Sequence, residues 1–200
     1  MTDAAASLGR RERNKLDKLA RITAAAGELF AEHGVDDVTT QQIADRADIG
    51  TGTLFLYAKT KGELLLLVQN ASYADALAEG RDAAAAEPDA FRAVMCVVRP
   101  VVECNRKQID NGRTYLREIV FGDPEEPHHK AALEVTVQTE QAIADILRRV
   151  VETDARAAVL AHVASAIMFI SMAATINASK TTTEVIEEIA LQLGAVLPRQ

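Results

Sequence analysis

The sequence is poor in aromatic residues and in cysteine. It has no tryptophan, three tyrosines and five phenylalanines among 200 residues. Its two cysteines, Cys96 and Cys104, lie on one predicted helix, where eight residues rise about 12 Å. That distance is too long for a disulfide between them. We therefore predict two free thiols and a reducing, cytoplasmic setting.

Long apolar runs are also absent. No run approaches 18 uninterrupted apolar residues, and the most apolar segment, 157–178, is interrupted by polar side chains. The chain is therefore not expected to span a membrane or to take one as a partner. The N-terminus is polar and then basic, without the apolar stretch of a signal peptide.

Sequence signatures of catalysis are missing. We find no Gly-rich phosphate loop, no Cys-x-x-Cys pair and no Ser-His-Asp arrangement. His128 and His129 are adjacent in a predicted polar loop beside Glu125 and Glu126. Neighbouring residues point apart, so this pair is a poor metal site. Neither an enzyme nor a metal or other cofactor is expected.

The residues that are present predict an all-α protein of about nine helices. Alanine, leucine and glutamate are abundant, and apolar residues recur at intervals of three and four. The first pattern predicts a helix from about Arg13 to His33 with Leu16 on its inner face, ended by Gly34. Five further patterns follow Asp89, one of them bent at Pro100. Thr181 followed by Glu184 is a capping box that starts the last of them.

Two short helices are predicted between Thr39 and Lys61. Thr39 followed by Gln42 is a capping box, and Thr60 followed by Glu63 repeats it at the start of the next helix. Residues 47–52 form a turn between them, and the helix that follows is too short to be stable alone. This layout predicts a helix-turn-helix, whose second helix enters the DNA major groove.

Residues 21–66 closely resemble the N-terminal domain of TetR-family transcriptional regulators. The matching features are Ala25, Phe30, Gly34, Ile43-Ala44 and the run Gly52 to Tyr57 leading to Thr60-Lys61. The resemblance implies a three-helix helix-turn-helix DNA-binding domain at residues 1–62, with residues 1–12 as an unstructured basic arm. It also implies a helical ligand-binding and dimerisation domain at residues 63–200, with the fourth helix shared between the two.

Three positions depart from the family pattern. Asp48 stands where glycine is usual, Gly50 where serine is common and Ala58 where an aromatic is common. Aspartate tolerates left-handed backbone better than most residues, so the turn is expected to survive. Glycine in place of a serine cap costs only a few tenths of a kcal/mol, and Thr51 is an alternative cap.

The charge is unevenly distributed. The net charge is −7, yet the first 62 residues hold nine basic and nine acidic side chains, leaving 13 basic and 20 acidic on the rest. Residues 8–21 include six basic and two acidic side chains. The positive charge is thus gathered beside the helix-turn-helix, where a polyanion would bind.

The resemblance assigns DNA contacts to eight residues. Gln41, Thr53 and Tyr57 can donate to phosphate or bases, and Phe55 can contact a thymine methyl. Lys61, in the first turn of the next helix, is placed for a phosphate. For Phe55 and Tyr57 the alternative is core packing. The full set is Thr40, Gln41, Thr51, Gly52, Thr53, Phe55, Tyr57 and Lys61.

For the second domain the resemblance implies a ligand pocket among the middle helices. The apolar candidates for this pocket, which could equally be ordinary core residues, are Phe91, Met95, Tyr115, Phe121, Met168, Phe169 and Met172. Polar candidates, for which surface exposure is the alternative, are Glu103, Arg117, Glu118 and His162. The last two helices are the predicted dimer surface, because small residues across 161–174 permit close helix approach and the apolar residues of the last helix need a partner, namely Val185, Ile189, Leu193 and Val196.

The preferred hypothesis is a ligand-responsive repressor that binds an inverted-repeat operator in double-stranded DNA as a homodimer. Its small-molecule ligand has no signature in the sequence. The alternative is a helical ligand- or protein-binding module that no longer binds DNA, motivated by Asp48, Gly50 and Ala58 and by the acidic remainder of the chain.

Overall fold

Helices account for the regular structure of this chain. A computed structural model describes residues 9–198, and within that range it contains nine α-helices and no strand, as predicted. The helices are α1 Arg10–His33, α2 Thr40–Arg46, α3 Thr51–Leu54, α4 Lys61–Ala85, α5 Ala90–Arg106, α6 Ile109–Phe121, α7 Pro127–Leu147, α8 Asp154–Ala173 and α9 Thr182–Val196. A single 3-10 turn, Thr175–Asn177, lies between α8 and α9.

Helix α1 is longer than predicted. It begins at Arg10, so residues 10–12 are helical and do not belong to an unstructured arm. Residues 1–8 of the predicted arm lie outside the described residues. The side chain of Leu16 is 46% exposed, which makes its predicted place on the inner face wrong. The first two turns of α1, with their basic residues, thus extend past the helices that bury Ile22 and Phe30.

Side-chain caps start several helices. The predicted box of Thr39 and Gln42 is complete at the start of α2, and a further predicted box at Thr181 and Glu184 is complete at the start of α9. At α4 the Thr60 hydroxyl accepts from the Glu63 backbone at 3.0 Å, but the Glu63 side chain does not return the bond. The prediction of a full box there was wrong because the Glu63 side chain is buried.

The turn before α3 uses the left-handed backbone region. Asp48 has a φ of 53°, which fits the expectation that aspartate can replace the usual glycine there. The Arg21 side chain lies 3.5 Å from both the Asp48 carboxylate and its carbonyl oxygen. The turn is therefore fastened to α1 as well as to α2.

Helix α4 connects the head, which we define as α1–α3, to the body, α5–α9. It packs against α1 on one side and against α5, α6 and α7 on the other. Leu64, Leu65 and Leu66 are fully buried, as expected for a segment that is apolar nearly all round. Gly80 lets α5 approach closely, since a Cβ there would lie 2.8 Å from the Cys96 carbonyl oxygen.

Helix α8 is the most apolar of the body. Within residues 9–198 it alone is long and apolar enough to cross a membrane by length and composition, a test that core helices of soluble proteins also pass. Ala157, Ala161 and Ala164 are fully buried. Its opposite face leaves Val159 and Ile170 exposed. On α9, Val185, Ile189 and Leu193 are fully buried within the single chain, so the prediction that they need a partner copy was wrong.

Candidate DNA-binding surface and effector cavity

The start of α2 is hydrogen-bonded to the start of α3. The Thr51 hydroxyl donates to Gln41 Oε1 at 2.8 Å, and Gln41 Nε2 donates to Asp45 at 2.7 Å. Because its hydroxyl binds Gln41, Thr51 does not cap α3, and Gly50 occupies the cap position without a side-chain bond. Two of the predicted DNA-contact residues thus fix each other's orientation.

The outer face of α3 is open to solvent. Gly52 is exposed, and a Cβ there would meet nothing within 4 Å. Phe55 is 44% exposed and Leu56 is 83% exposed, so Phe55 lies outside the core. Thr53, like Thr40 at the start of α2, is half-buried. Backbone bonds of the 3-10 type, including Tyr57 N to Leu54 O at 2.9 Å, continue the turn beyond the last α-helical residue.

Tyr57 and Lys61 make contacts within the protein. The Tyr57 hydroxyl donates to the Lys15 carbonyl at 3.4 Å, and the ring is half-buried against α1. The Lys61 ammonium donates to the Asp36 carbonyl at 2.9 Å. An ammonium has three donors, so this bond leaves two for other acceptors. Lys61 is therefore partly engaged in this conformation.

A cavity lies among α4–α8 in the body. About 50 Å³ of it is open to water, and aliphatic and aromatic side chains form most of its wall. Four of the seven predicted apolar residues line it, namely Tyr115, Met168, Phe169 and Met172.

The other three predicted apolar residues lie elsewhere. Phe121 is 81% exposed at the end of α6. Phe91 packs toward Gly194 of α9, and Met95 is half-buried on the same helix as Phe91, away from the cavity wall.

The sequence analysis missed polar residues that line the cavity. The hydroxyls of Thr136 and Thr139 donate to backbone carbonyls of their own helix, at 3.1 Å and 2.8 Å. The Ser165 hydroxyl oxygen is buried there and has no hydrogen-bond partner in the described structure. Hydroxyls recurring on otherwise apolar helix faces are the sequence signal that could have indicated them.

Two tyrosines stack in the cavity wall. The rings of Tyr73 and Tyr115 are 4.2 Å apart and inclined by 14°. Burial raises the pKa of both phenols, so both remain protonated donors at neutral pH. The Tyr73 hydroxyl accepts from Asn105 at 2.7 Å, and the Tyr115 hydroxyl donates to Asn70 at 2.9 Å.

The bond from Tyr115 is the first of a chain that ends in the head. Asn70 Nδ2 donates to the His128 carbonyl at 2.9 Å, and the His128 ring lies 2.9 Å from the Tyr57 carbonyl. A carbonyl only accepts, so His128 Nε2 carries the proton. We call this chain, Tyr115–Asn70–His128–Tyr57, the relay. It links the cavity wall to Tyr57, which ends the turn that continues α3; we call residues 51–57 the α3 turn.

A second set of bonds fastens α6 to the end of α1. Asn111 is 1% exposed; it accepts from the Val35 backbone at 2.7 Å and donates to the Phe30 carbonyl at 2.9 Å. Gln108 donates to the Ala31 carbonyl at 2.7 Å. Helix α6 therefore contacts the head at its first turn and the cavity farther along.

The prediction that the paired histidines His128 and His129 lie in a loop was wrong. They lie in the first turn of α7, which begins at Pro127, and not in a loop. His129 is 3% exposed and its ring lies 3.1 Å from the Ile119 carbonyl. In the described part of the chain, no three His, Cys, Asp or Glu side chains cluster as metal ligands would.

The polar candidates of the second domain are scattered. Glu103 is exposed on α5, and Glu118 is half-buried near Gly62. His162 is exposed, with its ring 3.2 Å from Glu140. Arg117 lies on α6 in a solvent-open cleft next to the cavity. None of the four lines the cavity itself.

Comparison with known proteins adds a match to the head and a match to the whole fold. Residues 22–68 match the family described as bacterial regulatory proteins, tetR family. FadR of Thermus thermophilus, a TetR-family transcriptional repressor solved in complex with lauroyl-CoA, is 24% identical with a TM-score of 0.71, over 91% of this chain and 96% of that one.

Two further solved structures show the same fold. A TetR transcriptional regulator from Rhodococcus sp. RHA1 is 16% identical with a TM-score of 0.68, over 91% of this chain and 96% of that one. SCO4454, a TetR-family regulator from Streptomyces coelicolor, is 21% identical with a TM-score of 0.64, over 90% and 94%. No curated protein matches the sequence.

The head and its exposed short helix have the arrangement of a helix-turn-helix DNA-binding domain. The matched segment covers the head and the start of α4, and the fold of the whole chain is similar to that of solved TetR-family regulators.

Proposed function

We propose that the protein is a homodimeric repressor that leaves its operator when a small molecule enters the cavity. The relay is the observation that carries the proposal, because it joins the cavity wall at Tyr115 to the α3 turn at Tyr57 through three hydrogen bonds. A ligand that moves Tyr115 changes the position of the head.

The exposed apolar faces of α8 and α9 support a dimer. Val159 and Ile170 on α8 are 63% and 65% exposed, and Leu191 on α9 is 77% exposed. Ala155 and Ala166 lie on the same side of α8 and leave room for close helix approach. Two copies that pair these faces form a four-helix contact with two-fold symmetry.

Such a dimer presents two copies of α3 to DNA. Two-fold symmetry requires an inverted repeat whose half-sites lie about 34 Å apart or a multiple of that distance. We assign base contacts to Gly52, Thr53 and Phe55 and phosphate contacts to Lys61 and the basic start of α1. Thr40, Gln41, Thr51 and Tyr57 complete the proposed surface and orient it.

The cavity is the proposed effector site. Its wall is apolar with a few hydroxyls, the composition typical of small-molecule sites. The lauroyl-CoA complex of the Thermus thermophilus protein supports a small organic effector here too. A coupling of about 1 to 3 kcal/mol, or roughly 5- to 150-fold in affinity, suffices for regulation.

The proposed division of labour follows the chain. Residues 1–62 bind DNA, residues 63–200 bind the effector and the second copy, and α4 belongs to both. The protein acts on the chromosome in the cytoplasm and catalyses no reaction.

Selection from genomic fragments followed by fluorescence anisotropy tests the proposal. The full-length protein should enrich fragments with an inverted repeat, and its affinity for them should fall steeply between two salt concentrations. A scrambled repeat of equal length and composition is the control. Equal affinity for both fragments, or no binding at low salt, would refute sequence-specific DNA binding.

A further inference from the structure

A solvent-open cleft adjoins the cavity. It holds about 360 Å³ and lies between α6 and the end of α8. Leu116 and Phe169 line both spaces, so the two meet at these side chains. We call this space the outer cleft.

Two arginines of the outer cleft flank that junction. Arg113 and Arg117 lie on either side of Leu116 along α6. Arg113 donates to the Ala173 carbonyl at 3.2 Å and to the Thr175 hydroxyl at 2.7 Å. These bonds hold one guanidinium in the outer cleft, one helical turn from Leu116.

Each arginine forms a long ion pair. The nearest carboxylate oxygens are those of Asp110, 4.0 Å from Arg113, and Glu118, 3.9 Å from Arg117. Asp110, at the start of α6, and Asp36, before α2, also line the cleft, on the side of the head. The cleft thus holds two carboxylates on the side of the head and two guanidinium groups beside the junction, where the long ion pairs leave guanidinium donors for an anion.

The cavity behind the junction suits a flexible apolar group. Met168 and Met172 line it, and unbranched methionine side chains repack easily around a ligand. The open volume of about 50 Å³ means that a ligand enters by displacing such side chains. A narrow chain displaces fewer of them than a rigid ring system.

From this arrangement we infer that the effector is an amphipathic molecule with an unbranched apolar chain and an anionic head group. The chain lies in the cavity, and a carboxylate or phosphate binds Arg117 and Arg113 in the outer cleft. This inference rests on the proposed effector function of the cavity.

Isothermal titration of the full-length protein with ten-carbon probes below their micelle concentrations tests the inference. Decanoate and decyl phosphate should bind at least about tenfold more tightly than decyltrimethylammonium, which has a similar chain and the opposite charge. Shortening the alkyl chain of the carboxylate probe by one methylene should weaken binding about fourfold. Inorganic phosphate alone should not bind. The tighter of the two anions identifies a carboxylate or a phosphate head.

Substitution of Arg117 localises the head group. Arg117 is exposed, and among residues 9–198 its charged contact is the long ion pair with Glu118, so Arg117→Gln should fold normally and bind the better anion about tenfold more weakly. Arg99→Gln, an exposed arginine on α5 outside the cleft, is the matched control and should not change affinity. Equal binding of anionic and cationic probes, or unchanged affinity of Arg117→Gln, overturns the inference.

Titration of the same protein with its selected DNA fragment separates the two proposals. DNA binding without binding of any ten-carbon probe contradicts the ligand class and leaves the regulator intact. Binding of anionic probes without DNA binding contradicts the proposed repressor and leaves the ligand site intact.

Discussion

The ring of His128 donates from Nε2 to the backbone carbonyl of Tyr57 across 2.9 Å. His128 lies in the first turn of α7, and Tyr57 ends the α3 turn. This bond is the last step of the relay and joins α7 of the body to the segment that follows α3. In the proposed mechanism, a change around Tyr115 reaches the head through this bond.

Removing that ring should loosen the α3 turn without unfolding the protein. His128→Ala retains the backbone carbonyl that binds Asn70 but loses the ring's bond to Tyr57 and its charge interaction with Glu63. A hydrogen bond contributes about 1 kcal/mol, so amides of residues 51–60 should exchange about fivefold faster by hydrogen-exchange mass spectrometry. His33→Ala, an exposed histidine at the end of α1, should leave that segment unchanged. Unaltered exchange in His128→Ala would contradict the relay.

The buried carboxyl of Glu63 should make stability depend on pH. Burial raises its pKa above the ordinary value of 4.5, although the charge of His128 opposes the shift. Because the folded pKa is raised, the stability associated with this group is complete below the unfolded pKa and is lost as pH rises through the folded one.

Glu63→Gln should therefore be more stable than the native chain at neutral pH, by on the order of 1 kcal/mol, with no advantage near about pH 4. Urea unfolding at several pH values measures the difference. Glu134→Gln, exposed on α7, is the control. A constant difference between Glu63→Gln and the native chain at all pH values would show that the carboxyl does not titrate as described.

Gly52 should separate folding from DNA binding. A Cβ there meets no atom within 4 Å, and alanine favours a helix by roughly 1 kcal/mol relative to glycine. Gly52→Ala should thus keep or raise thermal stability. If DNA approaches the exposed backbone at this position, the same variant should bind the selected fragment more weakly in anisotropy titrations. Undiminished affinity would place Gly52 outside the contact surface.

A charge on the exposed face of α9 should prevent dimerisation. Leu191 is 77% exposed in the single chain, so Leu191→Glu costs little within it but places a carboxylate at the centre of the proposed contact. Sedimentation analysis should show a monomer with weakened DNA affinity. Val137→Glu on α7, also exposed, should remain dimeric. A dimeric Leu191→Glu protein would move the interface elsewhere.

Local sequence signals predicted helix ends and the helix-turn-helix well. Thr39 with Gln42, and Thr181 with Glu184, lie within one helical turn, so the pattern alone determines their bonds. Asp48 was correctly expected to take the left-handed turn. These features depend on residues close together in sequence, so the local sequence is sufficient to predict them.

Features that depend on distant segments could not be predicted in the same way. Periodicity indicates that Phe91 and Met95 face inward, but it does not say which interior space their side chains meet. The relay joins the segment after α3 to α4, α6 and α7. The burial of Glu63, which prevents a full capping box, depends on the packing of α7. The prediction that Leu16 is buried was wrong because α1 extends beyond the helices that pack against it.

The most direct test of the central claim is the DNA affinity of a variant with a truncated α3 surface. Thr53→Ala combined with Phe55→Ala removes side chains that the core does not require, and anisotropy with the selected inverted repeat measures the effect. We predict a loss of about tenfold or more, while binding to the scrambled fragment stays the same. Equal loss on both fragments, or affinity within about twofold of the native chain, would contradict base contact by this helix.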